Sequence, residues 1–312
     1  MIKNIGIIGV GGVGGYFGGK LCQLLRSARE LNIYFIARGA HLEEIRNKGL
    51  YLSTAEEGDF ICTPTLATDN FDDLPVLDLC LLCIKSYNLK NVLGHLRNKT
   101  TKTTYIIPLL NGIDIYERIR DQIPDAIVFP ACVYIGTQIK GYGKVTQKGG
   151  ACTILFGKDP CYPDLIPEEL FDLFEKDTIK YTWFDNVFPE VWKKYIFIAS
   201  FGLVTAGFDK TIGEIMESEE LGRYVLSIMK EIVALSRKKG ARLPDTIIDE
   251  TFRKGHTFPY ETKTSFQRDI EDSSKLDERD LFGETILRLS QSYGTDARAT
   301  RIIHEKIQKM KT

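Results

Sequence analysis

Glycines at positions 9, 11 and 14 are the residues whose spacing first points to chemistry. They follow the apolar run 5–8 and precede a helix-forming segment, 13–26. In a strand–turn–helix unit, Gly9 permits the turn, Gly11 lets the backbone approach a pyrophosphate, and Gly14 lets the helix pack closely on the strand. The helix N-terminus offers unpaired N–H groups and a partial positive charge to phosphates. A tight turn with a purely structural role is the alternative. The predicted dinucleotide loop comprises Gly9, Val10, Gly11, Gly12, Val13 and Gly14.

A positive charge follows the second predicted strand, 33–37. Dinucleotide-binding units usually have Asp or Glu there, which binds the ribose 2′-hydroxyl of NAD. This chain has Arg38 instead, and a guanidinium can bond a 2′-phosphate through two parallel N–H donors. Arg38 therefore favours NADP (NADPH) over NAD. A solvated loop arginine is the alternative.

Two polar residues come directly after later predicted strands. Lys85 follows the strand 77–84, and Asn111 follows the strand 105–110. Because ligands bind at the carboxyl ends of strands in open α/β sheets, we expect both residues at the edge that carries the glycine loop. Each could instead be an ordinary surface or turn residue.

A lysine heads one face of a long helix predicted at 188–208. Lys194, Ile198, Gly202 and Thr205 recur at helical spacing, so they share that face. A lysine that faces a cleft can protonate or polarise a carbonyl oxygen. The alternative is a lysine that extends its charge to solvent at a domain junction.

The elements that position these residues fall into two groups. Strands that alternate with helical patterns predict an α/β domain at 1–184, with a Rossmann-type doubly wound parallel sheet. Long helical patterns then predict an all-helical second domain at 185–312. The expected strands are 5–8, 33–37, 50–53, 60–65, 77–84, 105–110, 127–135 and, as an edge strand, 153–156. The expected helices of the second domain are 188–208, 221–239, 244–254 and 281–309.

The composition is that of an ordinary globular protein. Of its 312 residues, 43% are hydrophobic and 27% charged, and the net charge of -1 gives no reason to expect nucleic acid or an acidic membrane as partner. No apolar run is long enough to span a bilayer, and glycines interrupt the apolar start before a signal peptide could form. These features predict a cytoplasmic enzyme.

Cysteines and histidines give no sign of a disulfide framework or a metal site. The seven cysteines are an odd number, scattered through apolar segments, which predicts reduced thiols. Cys80 and Cys83 have redox or metal spacing, but residues three apart on a strand point to opposite faces. The histidines show no ligand spacing with one another, so we predict no metal.

Taken in order, these residues resemble the 2-dehydropantoate 2-reductase (ketopantoate reductase) family. The similarity covers essentially the whole chain, and the ordered set is far more specific than any one motif. It consists of the glycine loop, Ala37-Arg38-Gly39, Ile84-Lys85-Ser86, Leu110-Asn111-Gly112, Trp192-Lys193-Lys194, the run 264–269, and Lys275-Leu276-Asp277 with Gly283 after it.

The resemblance implies NADPH-dependent reduction of a 2-keto acid, 2-dehydropantoate, to (R)-pantoate in the pantothenate branch leading to coenzyme A. By position, Lys194 matches the family's proton donor and Ser265 a substrate-contacting serine, while Asn111 would contact substrate and the nicotinamide side of the cofactor. Asp277 stands where the family usually has Glu, near the nicotinamide ribose. The cofactor contacts implied outside the glycine loop are Arg38, Lys85, Asn111 and Asp277.

Departures from the family pattern concern the substrate. The family has Asn at the positions of Ile198 and Gly202, and another Asn at that of Thr262. A lost hydrogen bond to a buried substrate group costs about 1–3 kcal/mol. A less polar 2-keto acid or a related carbonyl compound is therefore an alternative substrate, and a non-catalytic NADP-binding protein is a third hypothesis. The apolar faces of the second domain could also form a homodimer.

Overall fold

The computed structural model describes residues 1–26, 28, 30–176, 179–272 and 276–311. The chain forms two compact units. The first comprises Met1–Leu110 and Ile115–Val187, and the second comprises Asn111–Asp114 and the chain from Phe188 onward. The predicted domain division between residues 184 and 185 stays a prediction. Lys275, part of the resemblance, lies outside the described residues.

The first unit contains the described strands and five helices. Its strands are β1 (Asn4–Ile8), β2 (Asn32–Ile36), β3 (Leu50–Thr54), β4 (Gly58–Cys62), β5 (Leu66–Thr68), β6 (Leu79–Leu82), β7 (Tyr105–Pro108), β8 (Ile127–Val128), β9 (Ala131–Tyr134), β10 (Thr137–Gly141), β11 (Lys144–Gln147), β12 (Thr153–Gly157) and β13 (Lys180–Phe184). Its helices are α1 (Gly12–Gln23), α2 (Gly39–Lys48), α3 (Leu89–Leu96), α4 (Ile115–Gln122) and α5 (Glu168–Lys176).

The main sheet is parallel and six-stranded, in the order β5-β2-β1-β6-β7-β8. Ile5 of β1 lies opposite Ile33 of β2 on one side and Leu79 of β6 on the other. These three side chains are fully buried, as expected for a parallel sheet whose strands are near-continuous apolar runs. The predicted α/β fold with a parallel sheet is confirmed. The strand order changes direction at β1, which is where such sheets bind ligands.

Two smaller sheets correct the strand predictions. The predicted strand 127–135 divides into β8, in the main sheet, and β9, in the sheet ordered β13-β12-β9. Pro130 stands between them, and proline cannot donate a ladder hydrogen bond. The segment 153–156 is not an edge strand, since β12 pairs with both β13 and β9. The remaining sheet has the order β10-β11-β3-β4 and contains the predicted pair β3 and β4.

The described part of the second unit is helical, as predicted. Its helices are α6 (Phe188–Phe208), α7 (Ile212–Glu217), α8 (Glu219–Lys238), α9 (Ile247–Arg253), α10 (Ser265–Glu271), α11 (Thr285–Tyr293) and α12 (Arg298–Gln308). The predicted single helix 281–309 is wrong. A π-helical turn at Asp280–Glu284 precedes α11, and α11 ends at Gly294, whose φ of 65° is left-handed. None of the described helices has the length and apolar character needed to cross a membrane.

The cysteines are free thiols. Cys80 is fully buried in β6, and this burial raises the pKa of its thiol. A buried, protonated thiol is a weak nucleophile and a weak metal ligand. Cys80 therefore acts as a core residue.

Candidate active site and nucleotide pocket

The glycine loop is anchored between β1 and α1. Gly9 has a φ of +95°, and a Cβ there would lie 2.9 Å from the carbonyl oxygen of Cys83. A Cβ on Gly14 would lie 2.1 Å from the carbonyl oxygen of Gly9. The backbone N–H groups of Gly9 and Val10 both donate to the carbonyl of Ile36, at 3.0 and 3.2 Å. The backbone conformation of the loop thus requires glycine at positions 9 and 14.

Gly11 differs from Gly9 and Gly14, because a Cβ there would meet nothing within 4 Å. It is the N-cap of α1, where no side chain caps the helix and no acidic residue occupies the first turn. The first N–H groups of the helix therefore keep their capacity to bind an anion. Gly11 thus leaves open space beside these N–H groups, which suits a phosphate group.

A cavity of about 430 Å³ opens beside the glycine loop. Gly9, Val10, Gly11 and Arg38 all line it, so four of the predicted cofactor residues share one pocket. Arg38 is exposed at the N-terminus of α2. Its guanidinium has no hydrogen-bond or ion-pair partner among the described residues, which leaves its donors available to a phosphate.

His41 lines the same cavity and was not predicted. Its Nδ1 accepts a hydrogen bond of 3.0 Å from the backbone N–H of Gly143, and its buried Nε2 has no hydrogen-bond partner among the described residues. Burial lowers the pKa of His41, although the backbone of Val10 opposes this shift. Its position three residues after Arg38, on the same helix face, is the sequence signal that could have indicated it.

Lys85 does not line this cavity in the described structure. It lies half-buried beyond the end of β6, at the N-cap position of a short 3₁₀ turn, Ser86–Asn88. Asn88 and Asn91, farther along the chain, line the cavity instead. The cofactor contact of Lys85 stays a prediction.

Lys194 and Asn111 are brought together in the second unit. The Lys194 ammonium donates a hydrogen bond of 2.6 Å to the Oδ1 atom of Asn111. Lys194 is half-buried, whereas the neighbouring Lys193 is exposed. A half-buried ammonium held by an amide oxygen can donate a proton or a hydrogen bond to an oxygen beside it.

The rest of the Lys194 face is apolar, with a polar end. Ile198 is half-buried and Gly202 is buried. A Cβ on Gly202 would lie 3.7 Å from the Cβ of Phe266, an ordinary contact distance. The hydroxyls of Thr205 and Thr264 lie 2.7 Å apart. The Asn residues of the family pattern are thus replaced by an aliphatic side chain and by a glycine beside an aromatic ring.

Ser265 and Asp277 have different surroundings. Ser265 is the exposed first residue of α10, and Thr264 caps that helix by accepting a hydrogen bond of 3.2 Å from the backbone N–H of Gln267. Asp277 is buried, and Arg279 binds both of its carboxylate oxygens at 2.9 Å. Asp277 in turn raises the pKa of Arg279. This bidentate pair was not predicted, and it occupies a carboxylate that the resemblance assigns to the cofactor.

An ion pair near Asn111 was also missed. Asp114, three residues after Asn111, pairs with Arg288 of α11. Nothing in the sequence spacing relates positions 114 and 288, so only the fold could indicate this contact. Among the described residues, no group of three or more His, Cys, Asp or Glu side chains could hold a metal ion.

Two family models match the chain. Ketopantoate reductase PanE/ApbA matches residues 5–160, and Ketopantoate reductase PanE/ApbA C terminal matches residues 186–311. The uncharacterized oxidoreductase YkpB of Bacillus subtilis (strain 168) is 24% identical over 277 residues, which are 89% of each chain.

Solved structures are similar over nearly the whole chain. The 2-dehydropantoate 2-reductase of Porphyromonas gingivalis W83 has a TM-score of 0.82 and 28% identity, covering 99% of this chain and 100% of that one. D-mandelate dehydrogenase, solved with NADH and anilino(oxo)acetate, has a TM-score of 0.83 over 99% of this chain and 98% of that one. Its identity is 18%, so this likeness concerns the fold alone.

Proposed function

The chain belongs to the ketopantoate reductase family, and on that basis we propose that it reduces 2-dehydropantoate to (R)-pantoate with NADPH, in the pathway to pantothenate and coenzyme A. Membership establishes an oxidoreductase of the ketopantoate reductase family, whose name gives a keto acid as substrate. In the proposal, residues 1–184 bind the cofactor and residues 185–312 provide the catalytic and substrate-binding groups.

The glycine loop and Arg38 support NADPH as the cofactor. The uncapped N-terminus of α1 and the space over Gly11 suit a pyrophosphate. The exposed guanidinium of Arg38, in the same cavity, suits a 2′-phosphate. When bound, the cofactor supplies a hydride to the keto carbon. Lys85 remains a proposed cofactor contact, and Asp277 a proposed contact near the nicotinamide ribose.

The hydrogen bond between Lys194 and Asn111 is the observation that carries the proposal. Hydride addition to a ketone leaves negative charge on the carbonyl oxygen, and a nearby ammonium stabilises that charge and donates the proton. Asn111 holds the ammonium by its amide oxygen at 2.6 Å, so the amide restricts where Lys194 can direct its remaining N–H donors. Ser265, exposed at the start of α10, is proposed to bind the substrate.

A second candidate is a reductase for a less polar 2-keto acid. Ile198 and Gly202 motivate it, since neither can bond a substrate hydroxyl. Ile198 and the Phe266 ring beside Gly202 make this helix face apolar, and an apolar side chain on the keto acid would suit it because burying apolar surface is favourable.

One assay separates these candidates. NADPH oxidation is measured with ketopantoate and with a panel of branched and aryl 2-keto acids, each at several concentrations. A clearly higher kcat/KM for ketopantoate supports the first candidate, whereas a higher value for an apolar keto acid supports the second. Tight NADPH binding without oxidation across the whole panel would leave only the non-catalytic NADP-binding protein.

A further inference from the structure

A short segment of the chain, Asn111–Asp114, belongs by its contacts to the second unit, although the residues on both sides of it belong to the first. It contains Gly112, whose φ of +135° favours glycine. Glycine loses more backbone conformational freedom on folding than any other residue. Contacts from outside the segment must therefore keep it in one conformation.

Cationic side chains contact the segment at both ends. At the first position, Asn111 accepts a hydrogen bond from Lys194 of α6. At the last, the carboxylate of Asp114 pairs with the guanidinium of Arg288. The Asp114 side chain is only 5% exposed, and removing the partner of a buried carboxylate is costly. Arg288, whose side chain is 54% exposed, thus supplies a positive charge to a buried carboxylate.

The helices that provide these two cations are also connected. Tyr195, the residue after Lys194, donates a hydrogen bond of 2.6 Å to the carbonyl of Leu281. Leu281 lies in the π-helical turn that leads directly into α11, the helix of Arg288. The positions of Lys194 and Arg288 are thus set by one connected framework in the second unit.

We propose that the Asp114–Arg288 ion pair positions Asn111, so that its amide oxygen stays on the Lys194 ammonium. Arg288 and Asp114 are positioning residues in this proposal, because they act through Asn111 and do not touch the reacting atoms. The proposal rests on the proposed function only for its effect on turnover. Its structural content is the restraint on Lys194.

The first test uses the full-length protein and the variants Asp114→Asn, Arg288→Met and Arg288→Lys. Asp114→Asn and Arg288→Met should lower kcat roughly ten- to a hundredfold, because small displacements of a catalytic group are costly. The KM for NADPH should stay unchanged, and Arg288→Lys should recover part of kcat because it keeps the charge. Arg301→Met removes an exposed arginine of α12 and serves as the matched control, with unchanged kcat.

The second test does not need activity. The rate at which acetic anhydride acetylates Lys194 is measured by mass spectrometry, with exposed Lys193 as the internal reference. Lys194 should react several-fold faster, relative to Lys193, in Asp114→Asn and in Arg288→Met than in the unaltered protein.

The outcomes are distinct. An unchanged labelling ratio in both variants overturns the proposal, and so does a parallel loss of Tm, NADPH binding and kcat, which would indicate a general structural role. If the unaltered protein reduces no keto acid, the proposed function fails, and the labelling ratio still decides whether the ion pair restrains Lys194.

Discussion

The amide oxygen of Asn111 lies 2.6 Å from the ammonium of Lys194, and this contact joins two residues that the sequence separates widely. Asn111 comes just after the fifth strand of the main sheet, and Lys194 lies in the first helix of the second unit. An amide accepts a hydrogen bond from the ammonium without neutralising its charge. The other N–H donors of Lys194 can therefore be directed to an oxygen beside it.

Replacing Lys194 with Ala should lower kcat by roughly a hundredfold or more, because general acid catalysis contributes that much. NADPH binding, measured by the quenching of protein fluorescence, should not change. Lys193→Ala is the matched control, since Lys193 is the exposed neighbour on the same helix. A Lys194→Ala variant with normal kcat would remove the lysine from the mechanism.

Arg38→Gln should raise the KM for NADPH roughly ten- to a hundredfold. The reason is that hydrogen bonds to charged groups contribute about 1.5–3 kcal/mol, and Arg38 lines the cavity beside the glycine loop without another partner among the described residues. The KM for NADH should hardly change, which makes NADH the control substrate in the same assay. Equal effects on both cofactors, or a preference of the unaltered protein for NADH, would contradict the assignment.

Gly11→Ala should weaken NADPH binding, whereas Gly14→Ala should lower the stability of the fold. A Cβ at position 11 meets nothing within 4 Å, so this variant should keep its Tm and lose NADPH affinity at least tenfold. A Cβ at position 14 would lie 2.1 Å from the Gly9 carbonyl oxygen, so Gly14→Ala should lower the free energy of unfolding by about 1–3 kcal/mol. Thermal unfolding and fluorescence titration with NADPH measure both. Full NADPH affinity in Gly11→Ala would refute the pyrophosphate site.

Ile198→Asn and Gly202→Asn should raise kcat/KM for ketopantoate roughly tenfold, because each adds a donor worth about 1–3 kcal/mol when it meets a buried substrate group. A Cβ at position 202 would make an ordinary contact, at 3.7 Å from the Cβ of Phe266. Activity on apolar keto acids should fall in the same variants. If ketopantoate turnover does not improve, another part of the site selects the substrate.

The protein should lose stability as the pH falls below about 6.5. Burial lowers the pKa of His41 and of His304 in the folded state, so the unfolded chain takes up protons first and is favoured at acidic pH. Above the ordinary histidine pKa both states are neutral and the effect vanishes. Urea unfolding at several pH values between 5.5 and 8 should show a flatter profile for His41→Asn, which keeps an acceptor for the Gly143 N–H. An unchanged profile would exclude His41 as a contributor.

The sequence predicted the features that are local. The glycine spacing, the apolar strands of the main sheet and the long helix that carries Lys194 all follow from short-range patterns, and the structure contains them. The pair of Asp277 with Arg279 was missed because Asp277 was interpreted only through its family position and Arg279 was not considered. The division of 127–135 into two strands was missed, although Pro130 is a local signal for a break in a strand.

Contacts between distant chain segments could not be predicted. No periodicity relates Asp114 to Arg288, or His41 to Gly143, since these neighbours are chosen by the way helices and strands pack. The identity of the substrate is hard to predict from the sequence for the same reason. Ile198 and Gly202 are readable as departures, but their meaning depends on Phe266, which reaches Gly202 only through the fold.

The membership of Asn111–Asp114 in the second unit has a consequence for protein engineering. A chimera made by joining the first part of one relative to the second part of another at about residue 187 would separate this tetrapeptide from the helices that hold it. Lys194 and Arg288 would then meet a foreign loop. A chimera that exchanges substrate specificity should therefore take the four residues and the C-terminal helices from the same relative. These two pieces of sequence belong to one structural unit.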